Sequence, residues 1–477
     1  MPAVSSGRIS KARRGVKDAA PHKNHRWESF NSKISKLHTL DPLKKVRRHD
    51  LEAEDLSTTT SYFNNGLQRW NELNISKGFV GFKREALPLS ESLPQILHFE
   101  DRIMQLFVEY ISEQDKESLE PLLDLLTAFA RDLGPRFEKH YPLALQLIVD
   151  IASKSQPVEV IEWTFTSLAF LFKRLYKLLT PDLRPTYDVI SPLLGKAKRP
   201  PHIARFAAEA MSFLIKKAAA PNHRRTALPL IVEHTRQDLY RAYESRQFEL
   251  FQDGLMTMYA EAIKGSGDTI HSTGPATFTA LLHSIPPQDS NLTDPPIWTN
   301  VTCGVLTSLI HHSNATNLEP ISQVLFDLAK PVATTVDNDN ADVEYPSVPL
   351  IRAIGTLSGV RKGSRVNDWE VLVQSLMDLL AIATKWQDSG SAQIKHQFWR
   401  HVVVNIATVW VYAPIHALTP SILSFSTILT RDPFRGWYIP FCAYFADLDP
   451  VRFRSLFLGS FQALVSPFPN FQYWWSY

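Results

Sequence analysis

Two clusters of cations near the N-terminal end are the residues of this sequence that could carry recognisable chemistry. They are Lys11, Arg13, Arg14 and Lys17, followed by Lys44, Lys45, Arg47 and Arg48. Such clusters bind nucleic-acid phosphates by counterion release, or act as nuclear import signals. A tail that only keeps the protein soluble is the alternative. We predict that these eight side chains contact RNA or an acidic partner.

The charge distribution favours a basic arm over residues 1–50. Residues 1–49 contain 13 Lys/Arg and 3 Asp/Glu, a net charge of +10, whereas the whole chain has a net charge of +3. The remainder is therefore mildly acidic, at −7. We expect the first 22 residues to be disordered, because they are small, polar and without helical periodicity.

A short helix within the arm is predicted by the spacing of its apolar residues. Trp27, Phe30, Ile34 and Leu37 are separated by 3, 4 and 3 positions, which places them on one helical face. We predict that this face docks the arm on the folded body. Lys33 and Lys36 would then face solvent together with the second basic cluster.

The sequence contains no complete phosphate-binding loop or calcium-binding loop. Gly195-Lys196 lacks the remaining residues of a phosphate-binding loop, and Asp342 stands where a calcium loop needs glycine. Cys303 and Cys442 provide no disulfide framework. We therefore predict no enzyme activity, no cofactor, no metal and no small-molecule substrate. No uncharged apolar run reaches the roughly 18 residues of a membrane span, so no membrane partner is expected.

The elements that must position the arm are predicted from an internal repeat. The strings Leu126–Arg131, Leu168–Lys173 and Met211–Lys216 are 42 and 43 residues apart, and each ends an apolar helical run with a cation. This period fits two antiparallel helices and their turns, as in HEAT or armadillo repeats. The fold class predicted is therefore all-α, an α-solenoid of helical hairpins.

Four regions follow from this interpretation: the arm (1–50), an irregular capping segment (51–93), regular HEAT-like repeats (94–264) and less regular helical repeats (265–477) that end in aromatic residues. In the regular part, helices are predicted near 94–112, 119–133, 137–153, 157–179, 181–194, 201–219, 223–244 and 246–264. Pro121, Pro157, Pro181 and Pro201 are assigned to first helical positions. Thr180 is the predicted N-cap of the helix that begins at Pro181. Helices are expected to resume near 297–312 and 317–333.

Several strings in residues 23–220 resemble the U3 small nucleolar RNA-associated protein 20 family, also called down-regulated in metastasis. They are KNHRWESF (23–30), LPQILH (93–98), LEPLLDLL (119–126), GPRFEKH (134–140), VIEWTF (160–165), PDLRPTY (181–187) and RFAAEA (205–210). The resemblance implies a very long HEAT-repeat scaffold of the small-subunit processome, with pre-ribosomal RNA and processome proteins as partners. Location in the nucleus and nucleolus is also implied. Family members are several times longer, so we expect an N-terminal section of a longer protein.

The function predicted is therefore a non-catalytic scaffold in small ribosomal subunit assembly, needed for early processing of pre-ribosomal RNA. A HEAT-repeat nuclear transport receptor is the alternative, although a basic arm would compete with cargo for an acidic surface. A HEAT-fold DNA glycosylase is a third possibility, and it would need a basic groove containing an acidic base.

Overall fold

The computed structural model of the chain is helical. It describes residues 25–37, 61–113, 115–154, 156–195, 200–220, 226–245, 248–285, 297–314 and 316–324, and isolated residues between 369 and 455. All named regular elements of these residues are helices, and an isolated bridge joins Lys264 and Ile270. The all-α prediction is confirmed. The chain divides into two units, residues 1–210 and 211–477, and each is described separately.

The first unit contains the docked N-terminal helices and the first repeats. Its helices are α1 (Phe30–Lys36), α2 (Tyr62–Leu73), α3 (Lys77–Ala86), α4 (Leu93–His98), α5 (Glu100–Ser112), α6 (Lys116–Leu133), α7 (Tyr141–Ser153), α8 (Val158–Leu179) and α9 (Arg184–Leu194). Helix α10 (Pro201–Ala218) begins in this unit. Helix α5 contacts α7, and α7 contacts α9. In the same way, α6 contacts α8. This two-layered arrangement of neighbours is the one expected of HEAT-like hairpins.

Amphipathic stripes explain why these helices pack together. In α9 and the turn before it, Leu183, Tyr187, Ile190 and Leu194 are spaced 4, 3 and 4, and all four are at most 2% exposed. A stripe of this width must be covered by neighbours, and α9 lies against α7. The burial of the stripe therefore follows from its helical spacing.

Pro121 does not occupy a first helical position as predicted. Helix α6 begins at Lys116, where the Asp115 side chain accepts a hydrogen bond from the Glu117 amide (3.3 Å). A proline inside a helix leaves the carbonyl four residues earlier without its donor. Here the side chain of Asn74 replaces that donor, because its Nδ2 lies 2.7 Å from the Glu117 carbonyl oxygen. The interior proline is thus compensated by a neighbouring segment.

The predicted N-cap at Thr180 is also wrong. Helix α8 continues to Leu179, and the Thr180 amide donates to the Tyr176 carbonyl oxygen at 2.9 Å. Thr180 is therefore the C-cap of α8. The next helix begins at Arg184, whose amide donates to Asp182 Oδ1 at 3.0 Å.

Two glycines in α2 and α3 allow neighbouring helices to approach closely. A Cβ at Gly66 would lie 2.7 Å from Leu125 Cδ2, and one at Gly81 would lie 3.0 Å from the Tyr110 ring. The capping segment that contains them (51–93) was predicted to be irregular. In the structure they lie inside two capped helices, where the absence of a side chain brings α2 onto α6 and α3 towards α5.

The second unit contains α11 (Ala227–Glu244), α12 (Phe248–Ile263), α13 (Gly274–His283) and α14 (Ile297–His312). Helix α12 contacts the other three, and the Tyr259 ring meets Trp298 edge-on at 6.1 Å. The helix predicted at 297–312 is confirmed, and residues 316–324 are also helical. Helix α13 was not predicted, because helices were expected to resume only near residue 297. Gly265 and Gly267 lie in the turn between α12 and α13. That turn is short, with Gly267 at φ +62°.

Candidate docking site of the basic arm

Residues 25–37, here called the anchor segment, lie on helices α8 and α10. Phe30, the first residue of α1, has no exposed surface. Its ring meets Phe172 and Phe206 edge-on, with centroids 6.0 and 5.4 Å away. An aromatic residue buried in this way contributes about 3 to 5 kcal/mol. Phe30 is therefore the main apolar contact of a helix that is only seven residues long.

Trp27, three residues before α1 begins, contacts the same two helices. Its ring is stacked on His202, with centroids 3.6 Å apart and planes 9° from parallel. It also lies edge-on to Phe165 at 6.1 Å. Phe165 is in turn stacked on Phe206 at 3.7 Å, so the ring layer beneath the anchor segment is continuous from α8 to α10.

Lys33 is buried against α8, and its predicted exposure is wrong. The residue is 7% exposed. Its Nζ donates to Glu162 Oε2 at 2.5 Å and to Thr166 Oγ1 at 3.2 Å. His25 Nε2 lies 3.1 Å from the other Glu162 oxygen. Because an ammonium cannot be buried cheaply without a partner, the carboxylate of Glu162 is what permits α1 to turn Lys33 inward.

Both ends of α1 are satisfied by side chains from the repeat helices. At its beginning, the buried amide of Phe30 donates to Glu209 Oε2 at 2.8 Å. At its end, Lys173 Nζ donates to the carbonyl oxygens of Ile34 (3.0 Å) and Leu37. Helix ends leave amide and carbonyl groups without partners, and charges of these signs are favourable there. Ser29 caps the beginning of α1 from within the anchor segment, since its Oγ accepts from the Ser32 amide at 3.1 Å. The repeat helices add a partner for the Phe30 amide and the cap at the other end of α1.

Helix α2 is held on α6 by a related arrangement. Asp132 is 4% exposed and accepts from Ser61 Oγ (2.7 Å) and from the amides of Tyr62 (3.0 Å) and Phe63 (2.8 Å). The guanidinium of Arg131 lies 3.4 Å from the Tyr62 ring centroid. Carboxylates on repeat helices thus cap both N-terminal helices.

The recurring cation of the repeat has a structural role at two of its three positions. Arg131 lies on the Tyr62 ring of α2, and Lys173 caps the end of α1. The sequence allowed a basic ridge or caps on helix ends. The Lys173 side chain does cap a helix end, but the capped carbonyls belong to α1 and not to α8, the helix that contains Lys173. Lys216 lies in the last turn of α10.

An open groove of about 490 Å³ lies beside the anchor segment and is here called the central groove. Helices α2, α6 and α8 line it, and Leu37 borders it at the end of the anchor segment. Burial, followed by the nearby Asp124 charge, raises the pKa of Glu120, which lines the groove. Asp124 itself accepts from the Trp70 indole at 2.7 Å and pairs with Arg69. The groove is thus mixed in charge, and among its described lining residues no general base is paired with a nucleophile.

The structure brings the four predicted docking residues to one surface. Trp27, Ile34 and Leu37 are half-buried, and Phe30 is fully buried. The eight cations predicted to contact RNA (residues 11–17 and 44–48) lie outside the described residues. Four residues of this site were not predicted to belong to it: Lys33, Glu162, Lys173 and Glu209. Of these, only Lys173 had a signal in the sequence, because it is the cation that ends the second repeat string.

Among the residues that the structure describes, no three His, Cys, Asp or Glu side chains lie together as a metal site would require. Within the same residues, no helix combines the length and apolarity of a membrane span.

Comparison with known proteins identifies two similar chains. The sequence is 30% identical over 445 residues to U3 small nucleolar RNA-associated protein 20 of Schizosaccharomyces pombe. The aligned residues cover 93% of this chain. It is 29% identical over 368 residues, 74% of this chain, to the Saccharomyces cerevisiae protein of the same name. The matches span 16% and 13% of those two proteins. No family model matches. The resemblance predicted from sequence strings is confirmed.

Proposed function

We propose that this chain is a section of a non-catalytic helical scaffold in small ribosomal subunit assembly. The premise is its resemblance to U3 small nucleolar RNA-associated protein 20. The similarity over 93% of the chain is the observation that carries this proposal. The relatives are named for association with an RNA and not for a reaction. Stacked helical hairpins suit such a role, because they offer extended surface for many weak contacts.

The basic arm is proposed to supply the contact with pre-ribosomal RNA or an acidic processome protein. The anchor segment stands between the two basic clusters, eight residues after Lys17 and seven before Lys44. An extended chain spans at most about 3.5 Å per residue. Each cluster therefore begins within roughly 30 Å of a fixed point on the repeats. An anchor of this kind raises the effective concentration of the cations near an RNA molecule that is bound to the repeats.

RNA binding by the arm can be tested with the full chain. We expect filter binding of a structured RNA to weaken when Lys44, Lys45, Arg47 and Arg48 are replaced by Gln. The slope of log K against log salt should shrink by about 2.8 to 3.6, because each of the four lost phosphate contacts removes about 0.7 to 0.9. A matched control replaces four other cations, Lys116, Lys154, Lys177 and Arg241, by Gln. Equal salt slopes for the two variants would contradict the proposal.

The cellular location proposed is the nucleus and nucleolus. A fluorescent fusion of the chain should concentrate where ribosomal precursors are made. Replacing both basic clusters by Gln should reduce this concentration, because import signals and RNA contacts both depend on these cations. A cytoplasmic signal from the unmodified fusion would argue against the assignment.

A further inference from the structure

The outer face of α3 carries an exposed stripe for which the described residues offer no partner. Lys77, Val80, Arg84 and Leu87 are spaced 3, 4 and 3, so they share one face of this helix and its C-cap. All four are exposed, Val80 by 50% and Leu87 by 38%. The opposite face, with Phe79 and Phe82 fully buried, contacts α5 and α6. The stripe is therefore not needed to attach α3 to its own unit.

Exposed large hydrophobic side chains are more frequent in and around α3 than elsewhere among the described residues. Ten large hydrophobic residues are exposed among the residues described, and five of them lie between residues 73 and 99. In the turn that enters α3, Ile75 is 87% exposed. Isolated exposed hydrophobic residues need no explanation, but a cluster of them indicates an interaction surface.

The cations of the stripe are not used within the unit. Neither Lys77 nor Arg84 forms an ion pair or side-chain hydrogen bond with any residue that the structure describes. A nearby carboxylate, Glu85, is already occupied by Tyr110 (2.8 Å) and Arg102 (3.4 Å). Moreover, Lys77 is the first residue of its helix, where a cation opposes the helix dipole. Helix stability therefore does not account for it.

We propose that this face of α3 binds an amphipathic helix of another protein, one that presents aliphatic side chains flanked by Glu or Asp. The charge of the stripe is complementary to such a helix. Val80, between the two cations, and Leu87, after Arg84, would provide the apolar contacts. The stripe is about 15 Å long at 1.5 Å per residue, which matches three turns of a partner helix. An RNA ligand fits less well, because the stripe has no aromatic side chain on which a base could stack.

A synthetic peptide tests this assignment on the full chain. The probe is a fluorescein-labelled peptide of three heptads, with Leu at the two core positions and Glu at the two flanking positions. A contact of this small size should bind in the tens of micromolar range in fluorescence anisotropy. A peptide with Lys in place of Glu should not bind measurably, because it repels the stripe.

Three variants separate charge from apolar contact. Lys77→Glu with Arg84→Glu should weaken binding roughly tenfold, and Val80→Ser by a few fold. The matched control is Lys154→Glu with Lys177→Glu, two exposed cations of the same unit whose reversal changes the net charge equally. Because all these positions are exposed, thermal unfolding monitored by circular dichroism should be nearly unchanged.

Several results would overturn the proposal. One is equal binding of the Lys-flanked peptide, and another is equal weakening by the control pair. A third is a structured RNA whose affinity depends on Lys77 and Arg84 while the Glu-flanked peptide does not bind. Absence of any binding by the Glu-flanked peptide at millimolar concentration would also reject it.

Discussion

Two N-terminal helices of the first unit, α1 and α2, are attached to the repeats by different means. Helix α2 buries Phe63 in a cluster of rings, with Phe82, Phe107 and Phe129 at 6.4, 5.9 and 5.7 Å. Helix α1 buries one residue of that kind, Phe30, and its remaining buried residue is Lys33. A repeat carboxylate caps each helix, Asp132 for α2 and Glu209 for α1. The rest of the α2 attachment is mainly apolar, whereas that of α1 also depends on polar contacts with Glu162 and Lys173.

The difference indicates that α2 is part of the core and that α1 is a separable anchor. Apolar burial tolerates small adjustments, because it has no preferred direction. Removing one partner of a buried charge pair is strongly destabilising, because the other charge stays buried without compensation. We therefore expect α1 to open locally at a lower free energy than α2, as segments with few apolar contacts do.

Removing Phe63 should have the largest effect. Phe63→Ala leaves a cavity between α2, α3, α5 and α6, and should cost about 3 to 5 kcal/mol of the stability of the first unit. Hydrogen exchange of the α6 amides, followed by mass spectrometry, measures this loss. Phe30→Ala is the comparison, and it should increase exchange in residues 25–37 while leaving α6 protected. Equal loss of α6 protection in both variants would show that α1 and α2 belong to one cooperative element.

Asp132→Ala should follow in magnitude. It removes the acceptor of three hydrogen bonds to the beginning of α2, including two from backbone amides. Bonds to a charged acceptor are worth about 1.5 to 3 kcal/mol each, but water can replace part of them at a helix end. We therefore expect a loss of about 2 to 3 kcal/mol in exchange of the α2 amides. Unchanged exchange would mean that the ring cluster alone fixes α2.

Glu162→Gln should release α1 without affecting the core. The substitution keeps the shape of the side chain but removes the nearer of two carboxylates from Lys33 and leaves only Glu28, whose Oε2 lies 3.7 Å from Nζ. We therefore expect a loss of about 2 kcal/mol, less than for a buried charge with no partner left. Exchange in residues 25–37 should rise roughly thirtyfold, while α2 and α6 should stay protected. The double variant Lys33→Met with Glu162→Gln is the control, and it should recover much of the protection. If it does not, the charge pair is not what holds α1.

Sequence reasoning was accurate where packing is local and periodic. The 3, 4, 3 spacing around Phe30 located α1, and the repeat strings fall in α6, α8 and α10. It failed at Lys33, because the partner that permits burial is 129 residues away. Likewise, the acceptance of Pro121 inside α6 depends on Asn74, 43 residues from the carbonyl that it serves. Long-range polar contacts leave no periodic signal in a single sequence.

Acid should weaken the anchor segment by a smaller amount. A hydrogen bond from Lys36 is the main cause that lowers the pKa of Glu28 below its usual value of 4.5. The docked state therefore binds fewer protons than the released state. The stabilisation that ionised Glu28 gives to docking is complete above pH 4.5, and it is lost as the pH falls through the lowered pKa. The Trp27 indole signal in two-dimensional NMR reports the release, and Glu28→Gln should remove this part of the pH dependence. An identical titration in that variant would assign it to other groups.

The most direct test of the account is sedimentation of the full chain with ribosomal precursors from cells that express it. We expect it to migrate with particles that contain small-subunit precursor RNA, and to leave those fractions after RNase treatment. The variant in which both basic clusters are replaced by Gln should bind these particles more weakly as salt rises. A chain that stays in the light fractions, or whose position does not respond to RNase, would contradict a scaffold that associates with pre-ribosomal RNA.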